Sequence, residues 1–381
     1  MESNCTVLRN GEVLQIFRYL PPMDTFNGRI RTWPQISEDL FSGALADTLH
    51  TPYFAGVIKG EFAGSLGYYV PADTHDVGVV EFVATEERHR RKGVADALMA
   101  CMVGEFVAGG GQALYLCTTN PIAGHLYERH GFWYSVGDGM QFISPSAGDF
   151  DVTYFAVDGE PVVRQAVWGD LPRAAALYNC PDPSWLLKDV LTNCLRDTRY
   201  EQHFVRLMRR VEDGQGAILV LATPRNRMVG MAAFVRGETF EQQHVATLSL
   251  RVGFGYRGSV LNGHRYASTL LLAARSRAFE MGVDVLEFPV ADMDHDLMLL
   301  AEHSGFARVA KLGDRVRDGD RRVDIHLYQA ETKFLGADGD QVLATSAGTS
   351  VRAAHNSAKY YGNRQVWQTE RIMREDVRHP E

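Results

Sequence analysis

One stretch of twenty residues, EFVATEERHRRKGVADALMA at positions 81–100, constrains the fold more than any other part of the chain. It begins with apolar and β-branched residues typical of a strand. It then passes through the cationic cluster Arg88–Lys92 and Gly93 into an apolar run with helical periodicity. A second strand pattern (113–119) and a second helix pattern that ends at Gly131 follow. This order of elements predicts a right-handed crossover between two parallel strands.

The second half of the chain repeats this pattern. Strand patterns at 53–60, 62–70 and 77–85 precede the first helix, and strand and helix patterns restart at Val162. Setting Gly131-Phe132 against Gly305-Phe306 aligns the two halves helix for helix and strand for strand. A weak internal repeat of this kind, in a chain of 381 residues, predicts two related α/β domains.

Composition excludes several classes of protein. The chain is 45% hydrophobic and 23% charged, and its formal net charge of −8 disfavours non-specific binding to nucleic acid or anionic membranes. Its apolar runs are shorter than the ~20 residues of a membrane span, and the N-terminus lacks a signal-peptide pattern. We therefore expect a cytoplasmic protein without nucleic-acid or membrane partners.

Cysteine and histidine usage gives no signature of a metal site. The five cysteines, an odd number, form no CxxC pair, which disfavours both a disulfide framework and a zinc site. His89, His125 and His130 have no Asp or Glu at metal-ligand spacing. We expect no metal.

The basic loop at Arg88–Lys92 suggests an anion site. A strand that leads into a glycine loop and then a helix offers backbone N–H groups and a favourable helix dipole to an anion. Gly93 permits a close approach of the backbone, Ala95 is small, and the neighbouring cations attract a diphosphate. The alternative is a solvated helix start that carries surface arginines.

Two motifs resemble the signatures of one enzyme family. Arg90-x-x-Gly93-x-Ala95 is similar to the acyl-CoA signature of the GNAT family of N-acetyltransferases, Gln/Arg-x-x-Gly-x-Gly/Ala. Downstream, NPIAGHLYERHGF (120–132) is similar to the second signature, an asparagine followed seven residues later by a tyrosine and then Gly-Phe. The resemblance covers roughly residues 50 to 135.

The resemblance implies the fold class and the domain limits. We expect an α/β (α+β) protein with two GNAT-like domains, each a mixed, mostly antiparallel sheet with a central parallel strand pair and flanking helices. The catalytic domain would span 1–145, a linker 146–160, a degenerate GNAT-like domain 161–331, and a C-terminal extension 332–381.

The resemblance also implies how the acyl donor, acetyl-CoA, would bind. The strands at 78–85 and 113–119 would separate and hold it between them. Backbone groups of Val83, Ala84 and Thr85 would hold the pantetheine arm. The amides of residues 91–96 would cradle the diphosphate, and Asn120 would contact the cofactor arm. The implied binding residues are Val83, Ala84, Thr85, Arg90, Arg91, Lys92, Gly93, Val94, Ala95, Asp96 and Asn120.

Two side chains are candidates for the proton transfers of acetyl transfer. Tyr127 matches the usual acid of the family, which protonates the departing thiolate; the alternative is an amphipathic tyrosine of the core. Glu81 stands on the strand where many family members place the base, and it could equally be a solvent-facing strand residue. A base is needed because a free amine has a pKa near ~10.

The second half departs from both motifs. The alignment puts Ala301 where Tyr127 stands, Asp294 where Asn120 stands, and Arg265 where the loop glycine should be. We therefore expect this half to keep the fold, to lose the chemistry, and to shape or cover the acceptor site.

The leading functional prediction is an N-acetyltransferase that moves an acyl group from CoA to a primary amine of a small molecule. Amino acids, aminoglycosides and secondary metabolites remain open as acceptors. The aromatic residues Trp33, Tyr53, Tyr68 and Tyr69 precede the motif where the family builds its acceptor pocket. The alternatives are a non-catalytic or regulatory acyl-CoA-binding protein and a peptide or protein N-acetyltransferase. The oligomeric state stays open, a homodimer included.

Overall fold

Two large β-sheets, one two-stranded sheet and their helices make up the part of the chain that the computed structural model describes. That part is residues 2–23, 36–180, 187–189, 194–195, 200–257, 265–318 and 320–333. Trp33, residues 258–264 and nearly all of the predicted C-terminal extension, from residue 334 onward, lie outside these ranges. The described residues up to Lys333 belong to one compact unit. None of the helices within them is long and apolar enough to cross a lipid bilayer.

The first sheet contains strands from the first 143 residues. Its strands are β1 (Glu2–Val7), β2 (Val13–Tyr19), β3 (Leu49–His50), β4 (Tyr53–Ile58), β5 (Glu61–Pro71), β6 (Val77–Thr85), β7 (Ala113–Cys117), β8 (Trp133–Tyr134) and β9 (Gly139–Ile143). They lie in the order β1-β2-β4-β5-β6-β7-β9-β8, with β3 paired to β5. Four helices belong to this half: α1 (Ser37–Ser42), α2 (Val94–Ala108), α3 (Pro121–Arg129) and α4 (Phe150–Tyr154).

The second half contains β10 (Val162–Gln165), α5 (Leu171–Asn179), β11 (Leu187–Asp189), β12 (Cys194–Leu195), α6 (Tyr200–Glu212), β13 (Gly216–Ala222), β14 (Met228–Arg236), β15 (Val245–Val252), α7 (Phe254–Arg257), α8 (Arg265–Glu280), β16 (Val285–Ala291), α9 (His295–His303), β17 (Ala307–Asp318) and β18 (Arg321–Glu331). The second sheet has the order β10-β13-β14-β15-β16-β18-β17, and β11 pairs with β12 separately.

Each large sheet is mixed and mostly antiparallel, with one parallel pair near its centre. The pairs are β6 with β7 and β15 with β16, and a helix connects the two strands of each pair. The predicted fold class is therefore confirmed. The order strand-strand-strand-helix-strand-helix-strand-strand occurs from β4 to β9 and again from β13 to β18, where α7 is additional.

The buried residues of the predicted central helix recur on one of its faces. α2 begins after Gly93 and ends before the glycines at 109–111, the limits that the sequence indicated. Its buried residues pack against one face of the first sheet: Val94, Leu98, Met99, Met102 and Phe106.

The other face of the first sheet packs against α5. Every residue of this helix is buried, and its three consecutive alanines, 174–176, allow close approach on several sides. One hydrophobic cluster joins α5 to Val77 and Tyr115 of the first sheet and to Val220 and Ala232 of the second. The two halves therefore share a core.

The segment 146–160, predicted as a linker, is a structured part of the core. It contains α4, and Phe150, Tyr154 and Phe155 are buried. Its three aspartates and two glycines are typical of a loop, but these three aromatic side chains decide its conformation because each buries a large apolar area.

Candidate active site

The parallel strands β6 and β7 separate along their length. They pair only from Val77 with Ala113 to Val79 with Tyr115, although β6 continues to Thr85 and β7 to Cys117. Beyond Val79, β6 has no strand partner on this side among the described residues. The separation agrees with the predicted gap, which Val83, Ala84 and Thr85 border.

A β-bulge at Phe82 lies at the start of this gap. Ser65 pairs with Ala84 but Gly67 pairs with Glu81, so two residues of β6 lie opposite one residue of β5. Phe82 has a left-handed backbone (φ 60°), which is strained for a bulky residue, and its carbonyl accepts a hydrogen bond from Ser65 Oγ (3.3 Å). Strain of this kind clusters at functional sites.

The sequence analysis missed the bulge, although β5 carries a signal for it. A Cβ at Gly64 would lie 2.7 Å from the carbonyl oxygen of Ala84, and one at Gly67 would lie 3.2 Å from that of Pro52. Glycines inside a strand often mark such close backbone approaches, and GSLG (64–67) is that pattern here.

The loop between β6 and α2 leaves the start of α2 open to a ligand. A single 3-10 turn, Glu87–His89, leads to Arg91 (φ 61°) and Gly93 (φ 94°), and nothing lies within 4 Å of a Cβ built on Gly93. No side chain caps the helix, so the first N–H groups of α2, those of Val94 to Asp96, have no capping acceptor. Uncapped N–H groups and the helix dipole together suit an anion.

The four cations of the loop have different surroundings. Arg88 pairs with Glu61 (2.9 Å) and Lys92 with Glu12 (3.1 Å), so acidic residues partly neutralise both. Arg90 donates only a long hydrogen bond to the carbonyl of Thr85 (3.4 Å). Arg91 is exposed and has no hydrogen-bonding or ionic partner among the described residues. Arg90 and Arg91 are therefore the cations most available to a bound anion.

Asn120 and Tyr127 lie at the start and in the last turns of α3. Asn120 Oδ1 accepts a hydrogen bond from the backbone N–H of Ile122 (3.0 Å), so its side chain caps the helix. Tyr127 is buried and packs against Phe132, with ring centroids 6.0 Å apart. Burial, followed by the charge of the nearby Cys117 thiol, raises the pKa of Tyr127 to about 12. The phenol therefore keeps its proton at neutral pH.

Asp96 holds α3 against the start of α2. Its carboxylate accepts hydrogen bonds from Arg129 (3.0 Å) and His130 (3.2 Å) at the end of α3. Burial by itself would raise the pKa of Asp96, but these hydrogen bonds outweigh it and hold the pKa below its ordinary value. The start of α2 and the helix of Tyr127 are therefore fixed relative to each other.

Glu81 lies on the opposite face of the first sheet from Tyr127. Tyr127 belongs to the core cluster on the α2 side, whereas Glu81 accepts a hydrogen bond from Tyr69 (3.3 Å), which belongs to the cluster on the α5 side. The gap between β6 and β7 is the passage between these two faces.

The predicted acceptor-side aromatic residues divide between the two faces. Tyr53 and Tyr69 lie on the face of Glu81. On this face Phe41 of α1 packs against Phe82 (5.0 Å between ring centroids) and edge-on against Tyr53 (5.6 Å). Side chains alternate along β5, so Tyr68 lies on the other face, toward α2 and Glu105.

The second half places its aligned residues at corresponding points of its helices. Asp294 is the N-cap of α9, as Asn120 is of α3, and Ala301 is fully buried in α9. Arg265 is the first residue of α8 and pairs with Glu160 (2.8 Å). This half carries no phenol at the position of Tyr127. In the described ranges, no group of three His, Cys, Asp or Glu side chains is arranged to hold a metal.

Comparison with known proteins concerns the first half of the chain. Residues 18–132 match the family model described as Acetyltransferase (GNAT) family. The structure is similar to a ribosomal-protein-alanine N-acetyltransferase from Brucella melitensis, with 23% identity, 45% of this chain and 99% of that chain covered, and a TM-score of 0.36. It is also similar to an N-acetyltransferase from Staphylococcus aureus Mu50, with 18% identity, coverage of 46% and 100%, and a TM-score of 0.38.

A third similar structure is a GNAT superfamily phosphinothricin acetyltransferase from Sinorhizobium meliloti in complex with AcCoA, with 16% identity, coverage of 48% and 95%, and a TM-score of 0.38. A comparison with curated proteins gave no match. The family model covers both sequence motifs and the whole of the gap between β6 and β7. The chain therefore contains, at residues 18–132, an acetyltransferase domain of the GNAT family.

Proposed function

We propose that the protein is an acetyl-CoA-dependent N-acetyltransferase that moves the acyl group directly to a primary amine of a small molecule. The observation that carries this proposal is the gap between β6 and β7, which opens beside the uncapped start of α2. A buried phenol lies on one side of the gap and a carboxylate on the other.

The residues around the gap suit acetyl-CoA as donor substrate. The N–H groups of residues 91–96 and the exposed side chains of Arg90 and Arg91 would hold the diphosphate, with Gly93 leaving room for it. Backbone groups of residues 83–85, unpaired toward β7, would hold the pantetheine arm as an additional strand does. Asn120 would contact this arm close to the start of α3.

Glu81 supplies the route for the proton of the amine. An amine is protonated at neutral pH, with a pKa near ~10, and must lose a proton before it can attack a carbonyl. Glu81 faces the side from which the acceptor would approach, and Tyr69 orients its carboxylate through a hydrogen bond of 3.3 Å.

Tyr127 stabilises the departing thiolate by donating a hydrogen bond. Its pKa of about 12 lies above the ~8.5 of a thiol, so complete proton transfer to sulfur would cost about 5 kcal/mol. The neutral amine loses one N–H proton as the amide forms. Transferred through solvent, this proton neutralises the thiolate, so the products are an amide and the CoA thiol. In this role Tyr127 polarises the leaving group and does not itself ionise.

The acceptor would bind on the face that carries Glu81. The net charge of −8 and the aromatic rings of Phe41, Tyr53 and Phe82 favour a cationic amine, such as an amino acid, an aminoglycoside or an amine-bearing secondary metabolite. α5 covers part of this face, which supports a role for the second half as a degenerate GNAT-like domain that closes the acceptor site. We further propose a cytoplasmic location.

A thiol-release assay with acetyl-CoA and a panel of amines tests the proposal. At least one amine should accelerate release of the CoA thiol above the rate of acetyl-CoA hydrolysis. Glu81→Gln should slow this amine-dependent release most at low pH. Binding of acetyl-CoA without release in the presence of any amine would instead identify a non-catalytic acyl-CoA-binding protein.

A further inference from the structure

A pocket lies at the end of α2 that is opposite to the loop between β6 and α2. It has a volume of about 480 Å³, within the ~300–1,000 Å³ range of small-ligand sites, and Gly109 at the end of α2 contributes to its wall. Gly93 is at the opposite end of this 15-residue helix, about 22 Å away at ~1.5 Å per residue. The pocket is therefore separate from the proposed transfer site.

The pocket presents one cation and one anion in fixed positions. Arg18 Nε donates a hydrogen bond to Glu105 Oε1 (2.8 Å), and the same oxygen accepts a longer hydrogen bond from Tyr68 (3.4 Å). Both terminal nitrogens of Arg18 and the second oxygen of Glu105 have no hydrogen-bond partner among the residues that the structure describes. The carbonyl end of α2, beside Glu105, adds negative potential.

Two stacked imidazoles form another wall of the pocket. The rings of His50 and His75 lie 5.1 Å apart and nearly parallel. Burial lowers the pKa of His50, and the neighbouring His75 lowers it further, so this imidazole is neutral at pH 7. Glu105 would repel a simple anion, and Arg18 would repel a simple cation.

The wall that carries His75 is anchored from the second half of the chain. His75 has a left-handed backbone (φ 57°) in the turn between β5 and β6. Asp73 of the same turn pairs with the buried Arg173 of α5 and accepts a hydrogen bond from Asn226 (2.6 Å). These contacts fix the turn, so the pocket exists before any ligand binds.

We propose that this pocket binds a small zwitterion, of the α-amino acid class, with its carboxylate on Arg18 and its ammonium group on Glu105. Arg18 and Glu105 are held in contact, which matches a ligand whose two charges are only a few bonds apart. Val70 and Phe106 offer apolar surface to the remainder of the ligand.

Calorimetry on the intact protein without acetyl-CoA tests this proposal. The probes are L-alanine and L-phenylalanine. Each is compared with its amide, which lacks the carboxylate, and with its N-acetyl derivative, which lacks the ammonium group. At least one amino acid should bind, and both of its blocked derivatives should bind at least roughly tenfold more weakly. This comparison requires no variant.

Variants locate the binding. Arg18→Gln and Glu105→Gln should each weaken it at least roughly tenfold, whereas Tyr127→Phe, at the transfer site, should leave it unchanged. The NMR signals of the His50 and His75 imidazoles, assigned with His50→Gln and His75→Asn, should shift on titration with the amino acid.

Three results would overturn the proposal. One is a blocked derivative that binds as tightly as its parent amino acid. Another is the absence of imidazole shifts at about 20 mM ligand, well above the ~1 mM dissociation constant of a weak site. The third is binding that Tyr127→Phe abolishes and Arg18→Gln does not, which would place the ligand in the transfer site.

Discussion

Replacement of Tyr127 by phenylalanine removes one oxygen atom and keeps the ring that packs against Phe132. If Tyr127 donates a hydrogen bond to the departing thiolate, the lost interaction with a charged group amounts to ~1.5–3 kcal/mol. Turnover should then fall by about 10- to 150-fold, because each ~1.4 kcal/mol corresponds to a factor of ten. A loss above ~10³-fold would indicate full general-acid catalysis instead.

Steady-state thiol release measures the effect, and calorimetry should show nearly unchanged affinity for acetyl-CoA. Since the pKa of Tyr127 is about 12, the pH profile of turnover between about 6 and 9 should keep its shape in the variant. Tyr134→Phe is a matched control, because Tyr134 lies over Gly124 of α3 and is 44% exposed. Turnover of Tyr127→Phe within twofold of wild type on the best acceptor would refute the role assigned to this phenol.

Three further predictions concern the site and its support. Gly93→Ala should lower the free energy of unfolding by about 1–2 kcal/mol, because the backbone φ of Gly93 is 94°, but the variant should still bind acetyl-CoA. Gly93→Asp should abolish acetyl-CoA binding in calorimetry without unfolding the protein. Asp96→Asn should lower the free energy of unfolding by about 1–2 kcal/mol at pH 7, measured with denaturant. The difference in stability between wild type and variant should narrow as the pH falls below about 4, because the pKa of Asp96 is lowered in the folded protein. Arg173→Met should destabilise by about 2 kcal/mol, because it removes one of two arginine partners of the fully buried Asp170, which keeps its ion pair with Arg164. Asp73→Asn, at a half-exposed side chain, should cost under about 1 kcal/mol in the same assay.

The parts of the fold that depend on local patterns were predictable from the sequence. The strands at 53–58 and 77–85 and the helix at 94–108 follow from strand and helix periodicities and from glycines at their ends. The position of Tyr127 on α3 followed from the motif at 120–132, which begins at the N-cap of this helix.

The features that sequence reasoning missed depend on contacts between distant segments. The bulge at Phe82 requires the register of β6 against β5, and Ser65 supports it from the other strand. The shared core around α5 requires both sheets at once, and the periodicity within α5 alone cannot indicate a helix buried on every side. The face of the sheet on which Tyr68 lies also depends on the strand register, which the sequence does not supply.

The pairing of cations in the basic loop was also beyond sequence reasoning. Glu12 and Glu61 lie far from Lys92 and Arg88 along the chain, and the antiparallel strands of the first sheet bring them together. The charge that the loop offers to a ligand is therefore smaller than its sequence indicates, and Arg91 carries a larger part of it.

Hydrogen–deuterium exchange of the intact protein, with and without acetyl-CoA, tests the location of the donor most directly. Binding between β6 and β7 predicts slower exchange of the backbone amides of residues 91–96 and of 83–85, with unchanged exchange at the start of α8 in the second half. Unchanged exchange across residues 83–96 at saturating acetyl-CoA, or protection confined to the residues that begin α8, would contradict the assignment of this gap as the donor site.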